Sequence, residues 1–153
     1  MTRRMGIFLL VGLFLFGGGA LAWGQFKHVP ETPQGFQILE EGFYAARKEA
    51  GVMVVEGADA LLKLFAEDIS PSKKPPVVVD FNRFVVVAVF AGSRSSGGYR
   101  LEITSARYEN KGLDVRYVLH TPKPGSMTTQ ALTSPYAVIL LEKPGPTKQY
   151  QAQ

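Results

Sequence analysis

From residue 77 to residue 142 the apolar positions come either in short unbroken runs or at every second residue, the spacings of strands rather than helices. Val77-Val78-Val79 and Val85-Val86-Val87-Ala88-Val89-Phe90 are β-branched runs, too short for spanning helices and apolar on both faces. Both are predicted as central strands covered from two sides. Tyr99, Leu101 and Ile103 alternate with Arg100, Glu102 and Thr104, which predicts a half-buried strand. Leu113, Val115, Tyr117 and Leu119 repeat the pattern against Asp114 and Arg116, less cleanly at Val118 and His120. Asn110-Lys111-Gly112 between them is a hairpin signal, and Tyr136 to Leu141 reads as the last strand.

Upstream the pattern differs. Phe36 to Ala45 carries weak strand signals broken at Gly42, and Val52-Met53-Val54-Val55 reads as a short buried strand. One helix is predicted over 58–69, where Ala58, Leu61, Leu62, Phe65 and Ile69 share a face and Lys63 and Glu67 lie opposite. Asp59 suits the positive end of the helix dipole, and Ser70-Pro71 stops the helix. Five or more strands joined largely by hairpins, with one helix near the start, make an α+β chain of mostly antiparallel β. The expected architecture is a sandwich- or roll-like sheet with the helix over one open end.

The N-terminus reads as an export segment. Thr2-Arg3-Arg4 is a basic start, Met5 to Phe16 an apolar run, and Gly17-Gly18-Gly19 followed by Ala20-Leu21-Ala22 a cleavage region. Residues 1–22 are therefore expected to be a signal peptide, with a retained membrane anchor as the alternative, since the run approaches the ~20 residues that span a bilayer. Residues 23–35, with Pro30, Pro33 and Gly35, read as a linker; 36–143 as one β-rich domain; and 144–153 as a tail. Export places the chain in the periplasm, the cell envelope or the extracellular space.

Composition narrows the chemistry. The 153 residues are 46% hydrophobic and 20% charged, values of a globular chain. The absence of cysteine excludes disulfides, thiolate metal sites, a cysteine nucleophile and a lipid-modified cysteine. The net charge is +4, of which Arg3 and Arg4 supply two, so nothing calls for a nucleic-acid partner, and a membrane partner is expected only if the N-terminal helix is uncleaved.

The segment Gly92-Ser93-Arg94-Ser95-Ser96-Gly97-Gly98-Tyr99 has glycines spaced as in a phosphate-binding loop. That loop would continue with Lys and Ser or Thr and open a helix; here Gly98 and Tyr99 follow and lead into a strand, so nucleotide binding is excluded. What remains is a basic tip whose glycines permit positive φ or close backbone approach. A serine hydrolase would need a strained nucleophile turn and a base with its acid, whereas only His28 and His120 are available, neither with an acid at a telling spacing. Two distant histidines and no Asp-rich loop supply no metal site, and the adjacent Glu40 and Glu41 would face opposite sides of a strand. Asp80-Phe81-Asn82 reads as an Asx turn with Phe81 in the core. Met127 to Tyr136 is an uncharged, hydroxyl-rich loop, suited to packing on the body or to recognition.

Taken together, Val79-Asp80-Phe81, Val85 to Phe90 with Ala91-Gly92, Ser96-Gly97-Gly98-Tyr99 with Leu101-Glu102-Ile103, and Thr133-Ser134-Pro135-Tyr136-Ala137-Val138 resemble the C-terminal domain of the PrcB family, the protease complex subunit family. The resemblance covers about residues 77–142. It implies an exported, non-enzymatic protein that binds and stabilises or modulates a secreted or envelope protease, with no catalytic residue, cofactor or metal. Lipid-anchored relatives would need a cysteine after the signal, which this chain lacks. The expected recognition edge is Arg94, Ser96, Gly97, Gly98 and Tyr99 beside Thr133, Ser134 and Tyr136. Two other readings compete: a structural envelope module binding glycan or another envelope protein, and a hydrolase using His120.

Overall fold

The computed structural model describes residues 35–109 and 112–145. The expected signal peptide or anchor, nearly all of the linker, Asn110-Lys111 and the tail from Pro146 onward lie outside the described residues. Among the described residues there are six strands and one helix: β1 (Phe36–Gly42), β2 (Ala50–Val55), α1 (Ala58–Lys63) continued by a π-helical stretch (Leu64–Ile69), β3 (Phe84–Ala91), β4 (Arg100–Glu109), β5 (Gly112–His120) and β6 (Tyr136–Glu142). Strands β1-β6-β3-β2 form one antiparallel sheet, and β4-β5 a separate antiparallel ribbon. The α+β class, mostly antiparallel, holds.

The unbroken valine run of β3 has a direct cause. Val86, Ala88 and Phe90, with Tyr136, Val138 and Leu140 of β6, pack on Leu61, Leu64, Phe65 and Ile69. Val85, Val87, Val89 and Ala91, with Ala137, Ile139 and Leu141, pack on Leu101, Ile103 and Ala106 of β4. Both central strands are thus apolar throughout Phe84–Ala91 and Tyr136–Leu141 because each is covered by the helix on one side and the ribbon on the other. Burying one such side chain stabilises the fold by about 1.5–3 kcal/mol. The helix lies across a face of the sheet, not at an open end.

The helix spans the predicted range but buries a different stripe. Leu64 is buried and Leu62 exposed: Leu61, Leu64 and Phe65 share a face by ordinary helical spacing, and the wider π turn adds Ile69, five residues after Leu64, to it. Ser70 ends it in extended conformation, its N–H donating to the Phe65 carbonyl at 2.9 Å, and Pro71 follows. Asp80 forms the expected Asx turn, its Oδ1 accepting from Asn82 N–H at 3.0 Å, while Phe81 packs on the helix-side core.

Three expectations are corrected. Val77-Val78-Val79 is not a strand: both flanks of β3 are taken, by β2 and β6, and Pro75-Pro76 lacks two backbone donors. Val79 alone of the three packs on the core, and Val78 is fully exposed. The stretch Val52–Val55 is an edge strand rather than a buried one, with Val52 and Val54 exposed because the ribbon lies over β6 and β1 and leaves the outer face of β2 bare. Hairpins do not dominate the described chain: only β4 and β5 are joined as one, with Glu109 opposite Gly112.

Candidate functional site

The glycine-rich tip and the hydroxyl-rich loop lie side by side. Arg94 and Thr133 exchange backbone hydrogen bonds of 2.7 and 3.0 Å, Gly97 N–H donates to the Thr129 carbonyl at 2.9 Å, and Thr133 Oγ1 donates to the Ser96 carbonyl at 2.8 Å. The two segments expected to form one edge therefore do so through a short ladder that continues the end of the main sheet. The β1–β2 loop joins them: Ser134 N–H donates to the Phe43 carbonyl at 2.7 Å, and Ser134 Oγ to the Arg47 carbonyl at 2.7 Å.

The glycines serve this internal clamp. Gly97 is buried, and a Cβ there would collide with Thr129 Oγ1. Gly98 is exposed but sits at φ +83°, where a Cβ would lie 2.9 Å from Pro122 Cβ and 3.0 Å from Thr128 Cγ2. Arg94 donates to the Ala91 carbonyl at 2.7 Å and lies 5.7 Å from the Tyr99 ring centroid, so it braces the base of the tip. Ser96 Oγ turns back to the Gly97 carbonyl at 3.3 Å.

Thr133, Ser134 and Tyr136, expected at the recognition edge, are interior residues of 5%, 1% and 3% exposure. Their polar atoms are engaged within the chain. Tyr136 stacks on Phe90, and its hydroxyl donates to Glu40 at 3.2 Å and accepts from Lys73 at 3.0 Å. Lys73 also pairs with Glu40. The Glu40 carboxylate and the Tyr136 hydroxyl together raise the Lys73 pKa above its ordinary value. Burial raises the Tyr136 phenol likewise, partly opposed by the Lys73 bond.

Beside the ladder an open cleft of about 580 Å³ is lined by Phe43 and Tyr44 from the β1–β2 loop and by Gly97 to Arg100 from the tip. His120, Thr121, Lys123, Thr129 and Thr133 complete it. Phe43 and Tyr44 are half or more exposed, and Met127 and Leu132, next in sequence to lining threonines or one residue beyond, are also exposed. Among the described residues no carboxylate lines the cleft, while Arg100, Lys123 and His120 do. At its rim Glu102 accepts from Arg100 at 2.8 Å and pairs with His120 Nε2 at 2.7 Å, and these bonds, His120 first, hold its carboxyl below the usual range.

The sequence reading gave His120 no acid; strand pairing supplies one, because Arg100 stands opposite His120 and Glu102 opposite Val118. Among the described residues no Ser or Thr hydroxyl hydrogen-bonds His120. No group of three His, Cys, Asp or Glu placed to hold a metal occurs among the described residues. Phe43 and Tyr44 were missed as site residues; their only signal is an aromatic pair directly after the strand-breaking Gly42.

A family model described as PrcB C-terminal matches residues 85–142. Residues 85–142 belong to the PrcB family. The PrcB segment supplies β3 to β6, the tip and the hydroxyl-rich loop, hence most of the cleft. Phe43 and Tyr44 come from outside it, as does the Asp80 turn that the resemblance had included. No curated protein and no solved structure matches the chain.

Proposed function

We propose that the protein is an exported, non-enzymatic accessory subunit that binds a protease and stabilises or modulates it through the cleft beside the tip. PrcB family membership supports a protease complex subunit. The observation that carries the cleft assignment is the exposure of Phe43 and Tyr44 in a concave surface that also holds Tyr99 and main chain of the tip. Exposed aromatics in a concavity are the usual anchors of protein interfaces, and nearby uncovered backbone can pair with an extended segment. Arg94 acts behind Tyr99 as a brace.

Affinity capture with the purified chain against the secreted and envelope proteins of the exporting cell, read by mass spectrometry, tests this reading. The expected result is reproducible recovery of one protease, lost with Tyr44→Ala or Tyr99→Ala while the thermal unfolding profile stays intact. Recovery of glycan or non-protease envelope proteins alone would replace it with the structural-module reading. Glycine substitutions at the tip are unsuitable as the test, because both glycines are needed by the fold.

A further inference from the structure

Three loops meet at the end of the molecule that holds the cleft. Gly42 and Phe90 both stand opposite Tyr136, and Ala50 stands opposite Ala91, so the β1–β2 loop, the tip and the β5–β6 loop leave the sheet at the same end. Residues 43–49, 92–99 and 121–135 carry four cations, Arg47, Lys48, Arg94 and Lys123, against one anion, Glu49. Three of the cations are engaged within the chain. Arg47 pairs with Asp68 at 3.1 Å, Lys48 Nζ donates to the Ala45 carbonyl at 2.9 Å, and Arg94 donates to the Ala91 carbonyl beneath the Tyr99 ring. Lys123 differs. Its carbonyl accepts from Ser126 N–H at 3.0 Å and from Ser126 Oγ at 2.7 Å, which fixes the turn. Its Nζ has no hydrogen bond or ion pair among the described residues, and it lines the cleft.

Glu102 at the rim does not cancel this charge. It accepts from Arg100 at 2.8 Å and pairs with His120 at 2.7 Å, so its one negative charge is set against Arg100 and Lys123 is left over. Only Nη2 of Arg100 is bonded to Glu102, and its side chain is 57% exposed, so further guanidinium N–H groups remain to donate. A concave surface with a surplus of one sign focuses its field on an approaching group of the other sign. Beside Lys123 and Arg100 the same cleft presents Phe43, Tyr44 and Tyr99, which favour an apolar side chain.

We infer that the cleft takes an extended protein segment in which an Asp or Glu side chain stands close to an aromatic or aliphatic one. The carboxylate meets Lys123 and the free side of Arg100, and the apolar side chain meets Phe43 and Tyr44. A side-chain carboxylate is favoured over a chain end, because chain ends are held by nests of backbone N–H groups. Here the N–H groups of Gly97 and Thr133 are already donated to the Thr129 and Arg94 carbonyls. The inference specifies the partner's chemistry and rests on the cleft being the partner's site.

The probe is a random peptide library displayed with its C-termini fused to the carrier and selected on the full chain. Enriched sequences are expected to carry Asp or Glu beside an aromatic or aliphatic residue. A labelled, amidated copy of the most enriched peptide should lose about tenfold in affinity with Lys123→Glu. Lys63→Glu, the same charge change on the exposed side of the helix, should have far less effect, and high salt should shrink the difference. Replacing the peptide's acid by lysine should weaken binding to the unaltered chain and restore it to Lys123→Glu. Enriched peptides without an excess of acids, an affinity unmoved by Lys123→Glu, or binding that requires a free C-terminus would overturn the inference. The cleft would still stand as the site if that binding falls with Tyr44→Ala and Tyr99→Ala. Binding indifferent to both aromatic substitutions would remove the cleft reading as well. So would no enrichment at all, with the chain instead sedimenting on vesicles of phosphatidylcholine and phosphatidylglycerol.

Discussion

At the tip, two adjacent glycines are required for different reasons, and their substitutions separate them. Gly97→Ala places a methyl group against Thr129 Oγ1, an exposed side chain that can rotate, so the expected cost is about 1 kcal/mol. Thr129→Ala removes the colliding oxygen and should recover most of it in the double variant. Gly98→Ala meets Pro122 and Thr128 and must also hold positive φ, a combined cost of about 2–4 kcal/mol that Thr129→Ala does not relieve. Denaturant midpoints of the four variants check the order. A second residue-scale prediction concerns Lys73. Its folded pKa is raised, so its contribution is fully present below the ordinary lysine value of 10.5 and is lost as pH rises through the folded value. The raised phenol of Tyr136 acts in the same direction, since the unfolded chain ionises it first. Stability should therefore fall on the alkaline side above pH about 10, and Lys73→Met should flatten that decline. A Tm series against pH for both proteins is the measurement.

Among the elements, those whose neighbours are fixed by their own pattern were legible in the sequence. The runs in β3 and β6 are apolar at every position, and only a strand between two layers uses such a run. Ile139→Ala should accordingly cost about 2–5 kcal/mol in chemical denaturation, as deletion at a site with no exposure. Val77-Val78-Val79 has the same composition, but both flanks of β3 are already taken by β2 and β6, a fact of topology absent from the run itself. Val78→Ser should change stability by less than about 0.5 kcal/mol in the same assay. The valines of β2 misled for the complementary reason: periodicity marks a strand but not whether a third layer reaches it. At the site, the pairing of tip and loop was legible from the order of the motifs. The burial of Thr133, Ser134 and Tyr136 was not, because hydroxyls that cap an interior ladder have the same composition as hydroxyls on a surface. Phe43 and Tyr44 were hidden because their loop reaches the cleft only through its bonds to Ser134.

Across the molecule, the family-matched segment is only part of the packed structure. Residues 85–142 contain both central strands and the ribbon, whereas the helix that covers Val86, Ala88, Phe90, Val138 and Leu140 lies outside them. The excised segment should expose that face, bind a hydrophobic dye and lack a cooperative thermal transition. Full-length chain under the same conditions should unfold in one step.

The pairing of β1 with β6 also orders events in time. Phe36 stands opposite Leu141, so the first described strand is completed only by the last. Closing so long a loop is entropically costly and must precede most of the contacts that reward it, whereas β4 and β5 are separated by only two residues and can meet within microseconds. A chain emerging N-terminus first therefore cannot seat β6 between β1 and β3 until residues 136–142 have been made. Until then β3 has a partner on one flank only, and the most apolar run of the sheet waits for the strand that completes it.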